Sequence, residues 1–397
     1  MTRQVRRALG GIAVLASAAL VMSACSTASS GGSGGAASTP AGGSSGSGSS
    51  NGVAAATALL NKYSGEPAFV SPGPSFDASK AKGKILFGLP VNTSVAYVNT
   101  VDKETQKFAR ALGLKYIDYA NQQQQSQWIQ GVSNAVSAKA NVISLIGGLP
   151  PEQLAPQLTQ AQKGGMGVVD LAERNQGQPT ESYVNSYVYA PFAEAGTLMG
   201  AYAVKATNGN ADVLIISSNA DVSSPPVVNG ASQEIKSTCP SCKIKTVNVN
   251  PTDWATKLQS TVEGALSSDP NINYILPVYD SMAEFVAPAI QTAGRSGKTF
   301  IATFNGTPAI LDMMRTGNTV QMDVADNTSD VALAGLDAAM RLMLKLPAGK
   351  QQIGLRVFTK ANVTDAGTPA QSGKGFGTSS ATGYAKTWGV SASLLQG

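Results

Sequence analysis

The sequence predicts an α/β fold of two lobes, each a parallel sheet with helices on both faces. Three observations predict it. Short apolar runs alternate with amphipathic helical patterns from Lys84 onward, and strands hidden on both faces read as such runs. The alternation comes in two successive series. The chain is 397 residues long, more than one hydrophobic core usually supports.

The first series has strand candidates at 85–89, 116–117, 142–146 and 168–171. After the first of them, Val101, Thr105, Phe108, Ala109 and Leu112 share one helical face, and Gly113 supplies the stop. Trp128, Ile129 and Val132 mark the next helix, and Leu154, Leu158 and Ala161 the one after. The second series runs through strands at 213–216, 244–249, 274–278, 300–303 and 320–324. Its clearest helix carries Met282, Phe285, Val286, Ala289, Ile290 and Ala293 on one face. Ser281 is placed to cap its start and Gly294 its end, and Pro288 predicts a kink. A helical run at 332–346, a strand at 355–358 and a Gly-rich end follow. Two Rossmann-like lobes joined by a multi-strand hinge result. The expected N-terminal lobe is 83–190 plus 326–352, and the C-terminal lobe is 191–325 plus 353–397.

Residues 1–24 have the parts of an export signal: Arg3, Arg6 and Arg7, then an apolar stretch from Leu9 to Met22, then small residues before Cys25. The apolar stretch is too short to span a membrane. Leu20-Val21-Met22-Ser23-Ala24-Cys25 resembles a bacterial lipobox, which implies that Cys25 carries lipid and opens the mature chain. Residues 25–53 are rich in Gly and Ser and carry no charge, the composition of a flexible tether, and 54–82 read as irregular because of Pro67, Pro72 and Pro74.

Composition excludes several functions. There is no histidine, which removes the commonest general base, the usual metal ligand and every Ser-His or Cys-His pair. Arg3, Arg6 and Arg7 account for three of the 29 basic residues. The remainder faces 24 acidic residues, a net charge of +2 and too even a balance for a nucleic-acid binder. No cofactor and no metal are expected, and the chain is not expected to be an enzyme.

Several motifs fall away on context. Gly42-Gly43-Ser44-Ser45-Gly46 matches the hydrolase pattern G-x-S-x-G but lies in the tether with no strand before it. Gly297-Lys298-Thr299 ends like a Walker motif but precedes a strand. Gly373, Gly375 and Gly377 lack a strand-loop-helix setting and read as a mobile tail. Cys239-Pro240-Ser241-Cys242 has redox spacing, yet it follows a helix instead of opening one. A local structural disulfide is expected.

Polar and aromatic residues collect at the carboxyl ends of strands in both series. They are Asn92, Tyr97, Gly147, Glu173, Arg174, Tyr189, Asn219, Asp221, Tyr279, Asp280, Phe304, Asn305 and Asp326. Singly, each reads more readily as loop surface than as a ligand contact. Together, in a two-lobed body, they converge on the cleft between lobes. Phe304 offers a flat apolar face, and Asn305 offers both donors and an acceptor, as a small hydroxylated molecule requires.

Two of these stretches carry a resemblance. Tyr279-Asp280-Ser281-Met282-Ala283 is similar to an Asn-Asp-x-Met-Ala turn, and Phe304-Asn305-Gly306-Thr307-Pro308 to Phe-Asp-Gly-Thr-Pro. Both belong to the type I periplasmic sugar-binding proteins of the ribose-binding kind, which the chain resembles from about Lys84 to Leu346. The resemblance implies a solute receptor, expected as a monomer, that delivers a small sugar or polyol to an ABC permease and its ATPase subunit. It touches the membrane through its lipid only. It implies a stacking role for Tyr97 and hydroxyl contacts from Glu173 and Arg174, with a one-residue offset from the family's Asp-Arg pair. Tyr279 stands for an Asn contact, Asn305 for an Asp that grips neighbouring hydroxyls, and Asp326 near a contact at the third lobe crossing. Tyr189, Asn219 and Asp221 fall in segments that line the cleft. Because Asn305 accepts at one atom and donates at the other, the ribose or glucose pattern is not reproduced. A receptor feeding a sensor kinase and a thiol-disulfide enzyme using Cys239 and Cys242 are the alternatives.

Overall fold

Residues 142–146, Val-Ile-Ser-Leu-Ile, have no face to turn to water, so they need the middle of a covered sheet. The structure, a computed structural model describing residues 47–396, puts them there. The first sheet consists of β1 (Ile85–Pro90), β2 (Lys115–Asp118), β3 (Val142–Ile146), β4 (Gly167–Leu171) and β5 (Ser186–Val188). All are parallel, in the order β2-β1-β3-β4-β5. The second consists of β6 (Asp212–Ser217), β7 (Lys243–Asn248), β8 (Tyr274–Pro277), β9 (Phe300–Asn305), β10 (Val320–Asp326) and β11 (Leu355–Thr359), in the order β11-β10-β9-β8-β6-β7. Only β11 runs antiparallel. Strand order reverses beside β1 and β3 in one sheet and beside β6 and β8 in the other, and such switch points are where open α/β sheets leave a crevice.

The helices are α1 (Ser47–Asn61), α2 (Ala96–Ala111), α3 (Gln125–Ser137), α4 (Ala155–Lys163), α5 (Phe192–Ala206), α6 (Ser224–Thr238), α7 (Gln259–Ser268), α8 (Ala283–Thr292), α9 (Pro308–Thr316), α10 (Thr328–Met343) and α11 (Ser379–Trp388). After β10 the chain crosses back, and α10 packs on α2 and β4 of the first lobe. Helices α5 and α6 touch backbone to backbone. A Cβ added at Gly196 would lie 2.0 Å from the Val227 carbonyl oxygen, so only glycine allows that approach. Cys239 and Cys242 are joined by a disulfide between the end of α6 and β7. On the exposed edge strand β7, Lys243 and Lys245 discourage pairing with another chain.

The ends of the chain depart from expectation. The leader, Cys25 and most of the tether lie outside the described residues, but the tether's last part and the start of the supposedly irregular 54–82 form α1. From Val53 onward, Val-Ala-Ala-Ala-Thr-Ala-Leu-Leu is rich in good helix formers, and α1 packs on α5 and α6. Residues 62–76 then cross behind the hinge. Val357 N–H donates to Tyr63 O at 2.7 Å, Lys350 N–H to Pro72 O at 2.7 Å, and Phe76 N–H to Thr387 O at 2.8 Å. The Gly-rich end is packed instead of loose. Phe376 meets Phe358 edge-on at 5.8 Å, and Trp388 is fully buried, its Nε1–H donating to Asp337 Oδ1 at 2.8 Å. Thus β11 joins the second sheet while α11 packs on α10, a helix of the first lobe, so the 353–397 tail serves both lobes. The strand β5 and helix α5 were not expected. Ser281 caps nothing: a 3₁₀ turn, Asp280–Met282, precedes α8, whose N-terminus has no side-chain cap.

Candidate functional site

A cavity of about 50 Å³, room for a few water molecules, lies where the strand ends of the two sheets face each other. The first lobe contributes Val91 after β1, Val95, Tyr97 and Val98 around the start of α2, Gln123 before α3, Gly147 after β3 and Ala172 after β4. The second contributes Phe192 at the start of α5, Asp221 and Ser223 after β6, Pro251 and Trp254 after β7, Tyr279 and Ser281 after β8, and Asn305 at the end of β9. Every strand that supplies a residue does so from its carboxyl end, as parallel strands converging on a cleft require.

The polar groups are held by short hydrogen bonds. Tyr97 Oη donates to Asp326 Oδ2 at 2.6 Å, which ties α2 of the first lobe to the end of β10. Tyr279 Oη and Ser223 Oγ are 2.7 Å apart, and Ser218 Oγ donates to Asp221 Oδ2 at 2.6 Å. Beneath them, Asp280 Oδ2 accepts from the Thr307 N–H and hydroxyl, both at 2.7 Å, and so fixes the loop after Asn305. Asp323 Oδ1 accepts from Gly306 N–H at 3.1 Å. Burial pushes the Asp280 and Asp326 carboxyls up to about 7 and Asp221 to about 6. It raises Asp323 well above the usual carboxylate range, with the Asp280 charge adding to the effect.

Backbone strain gathers in the same place. Among the described residues, six non-glycine residues have positive φ. Lys139, Asn208 and Lys345 follow the carboxyl ends of α3, α5 and α10, where a left-handed residue commonly ends a helix. The other three, Gln123 (φ 59°), Ala172 (φ 54°) and Asn305 (φ 138°), all line the cavity. Strain of this kind persists where surrounding structure enforces it, characteristically at ligand sites.

Of the residues singled out from sequence, Tyr97, Gly147, Asp221, Tyr279 and Asn305 are brought together around the cavity, with Asp326 directly behind Tyr97. Others are elsewhere. Phe304 is fully buried with its ring edge-on to Phe192 at 6.0 Å, so Phe192, one layer nearer, forms the wall. Asp280 lies in the layer beneath. Glu173 is fully buried and does not line the cavity, and Arg174 turns to Asp170, 3.3 Å away, and to Glu152. Ala172 faces the space that Glu173 was expected to fill, the difference that one residue makes on a strand. Asn92 folds back to accept from Ser94 N–H at 2.9 Å, and Asn219 is exposed, its N–H donating to Asn248. Tyr189 stacks on Tyr187 at 5.7 Å and lines a separate cleft near Lys350. Trp254 was missed. Its only signal is a lone tryptophan after Asn-Pro-Thr-Asp, and it opens the five-residue π turn Trp254–Leu258, its ring tilted 48° against Tyr279 with centroids 6.3 Å apart.

Two parallel-sheet lobes with a cavity between their strand ends and several crossings behind it define a type I periplasmic binding protein. The chain belongs to the family described as "Periplasmic binding protein domain", whose model matches residues 85–347. It is 33% identical over 109 residues to the D-allose-binding periplasmic protein of Escherichia coli (strain K12), a match covering 27% of this chain and 34% of that relative, so the chain spans about a third of it there. Among solved structures, the ABC transporter solute binding protein from Bacillus halodurans C-125 with bound myo-inositol is 15% identical. Its TM-score is 0.65, over 73% of this chain and 99% of the other. The ABC transporter periplasmic solute binding protein from Actinobacillus succinogenes 130z with bound D-allose is 20% identical. Its TM-score is 0.63, over 71% and 99%. These two likenesses are of fold. Among the described residues no helix is long and apolar enough to cross a membrane.

Proposed function

We propose that this chain is the extracytoplasmic solute receptor of an ABC importer, binding a small sugar or polyol between its lobes without transforming it. The observation that carries the reading is the meeting of Tyr97 from one lobe with Asp221, Tyr279 and Asn305 from the other around a single small cavity. Aromatic faces there suit the C–H side of a sugar ring, and the amide, hydroxyl and carboxylate groups suit its hydroxyls. The sugar and the cyclitol named for its relatives support the ligand class. Closure of the lobes presents a surface for a permease with its ATPase subunit. The thiol-disulfide alternative has little support. Cys239 is buried at the carboxyl end of α6, where the helix dipole disfavours a thiolate, so a structural disulfide fits better.

A thermal-shift screen over pentoses, hexoses and polyols tests the reading. A ligand at about 100 times its Kd adds roughly 2.7 kcal/mol of stability. No shift with any of them would sink it. Asn305→Gly removes the amide while relieving the positive φ, so it should weaken binding about tenfold or more with melting temperature unchanged or raised. Unchanged affinity would place the site elsewhere.

The membrane link is proposed to be lipid on Cys25 alone. Cells fed a labelled fatty acid should incorporate it into the wild-type chain and not into Cys25→Ser. Equal labelling of both would remove the lipobox reading.

A further inference from the structure

The carboxylates of the site have no counter-charge. Neither Lys nor Arg lines the cavity. Among the described residues the ion pairs use other acids, and none includes Asp221, Asp280, Asp323 or Asp326. Arg174, the cation that the sequence offered, is committed to Asp170 and Glu152. Three acid oxygens behind the cavity, Asp280 Oδ1, Asp323 Oδ2 and Asp326 Oδ1, are buried with no hydrogen-bond partner. Asp221 is only 7% exposed and lines the cavity itself. Ser218 takes its Oδ2, and among the described residues its Oδ1 receives no hydrogen bond. Across the cleft Asp221 approaches Gly148, where an added Cβ would lie 4.0 Å from Oδ1. Four aromatic residues, Tyr97, Phe192, Trp254 and Tyr279, complete the wall.

A neutral polyol satisfies the acceptors of such a site but leaves the Asp221 carboxylate, the one acid that lines the cavity, without a counter-charge. An ammonium group donates up to three hydrogen bonds, neutralises a carboxylate and gains from aromatic faces. We infer that the solute carries a protonated amine, an aminated sugar or polyol. Its ammonium sits at Asp221 Oδ1 beside Tyr279 and Trp254, and its hydroxyls reach Asn305 and Tyr97. The inference rests on the receptor reading of this cavity and narrows it. Sugar chemistry alone would accept any well-shaped neutral polyol. The Asp221 carboxylate, with no base lining the cavity, discriminates against one.

Calorimetric titration of the full chain with matched pairs tests this: glucose against glucosamine, sorbitol against 1-amino-1-deoxysorbitol, and inositol against an aminodeoxyinositol, with choline as a cation that is not a sugar. The expected result is that amine members bind about 10- to 100-fold more tightly than their hydroxyl partners. Asp221→Asn, nearly isosteric, should abolish that preference while its melting temperature stays within a few degrees of wild type. Equal or tighter binding of the neutral members would overturn the inference and leave the sugar receptor standing. Binding of choline alone, a cation with no N–H donors, would overturn both. Binding of no member would overturn both. If Asp221→Asn fails to fold, the wild-type pairs still decide.

Discussion

Replacing Asp337 with Ala should destabilise the protein by about 3–5 kcal/mol, although the residue does not line the cleft. Asp337 is fully buried in α10 and serves three partners. Its Oδ2 accepts from Arg341 Nε at 2.7 Å and from Gln351 Nε2 at 2.6 Å, and its Oδ1 accepts from Trp388 Nε1 at 2.8 Å. Arg341 is almost as buried, lies over the Phe76 ring at 4.9 Å, and donates to Pro74 O at 3.0 Å. Removing the carboxylate leaves a guanidinium without its counter-ion and an indole N–H without an acceptor, and burial prevents water from replacing either. Urea unfolding measures the loss. A loss under about 1 kcal/mol would show that the surroundings relax, and that Asp337 is no hub.

Acidification from about pH 7.5 to about pH 5.5 should raise the melting temperature by several degrees. Burial pushes Asp170, Asp280 and Asp326 up to about 7 and Asp221 and Asp330 to about 6. An ordinary unfolded Asp titrates near 4. Between those values the folded state binds more protons than the unfolded state, so stability falls as pH rises. The gain appears as pH drops through the folded values and is complete below the unfolded ones. Asp77, Asp118 and Asp312 are held low by hydrogen bonds from Ser79, Lys103 and Arg315, so they act in the opposite sense, but only below about pH 4. Calorimetric scans across the range check the sign. A flat or declining melting temperature would mean that the buried acids reach water or unseen partners.

The strands were legible because runs such as 142–146 and 213–216 have no polar face, and that pattern suits few other settings. Their carboxyl ends were legible for the same reason, and Tyr97, Asp221, Tyr279 and Asn305 followed from them. Which neighbour faces the cavity was not legible. Ala172 and Glu173 differ by one residue on one strand end, and the left-handed conformation of Ala172 decides the outcome. Trp254 belongs to a turn without periodicity, so only the folded chain brings it beside Tyr279. The start of α1 hides in Ser and Gly, and its packing on α5 and α6 overrides that composition.

Residues 62–76 and α11 fasten segments of both lobes together, through Val357 to Tyr63, Lys350 to Pro72 and Phe76 to Thr387. In the proposed receptor, closure requires that seam to give, so the seam sets how much of the population is closed before solute arrives. Apparent affinity scales with that fraction. The same Asp337→Ala that loosens this seam should therefore tighten apparent solute affinity with every cleft residue in place. Affinity in the proposed receptor is then partly encoded outside the cleft, in a seam made by residues 62–76 and the 353–388 segment.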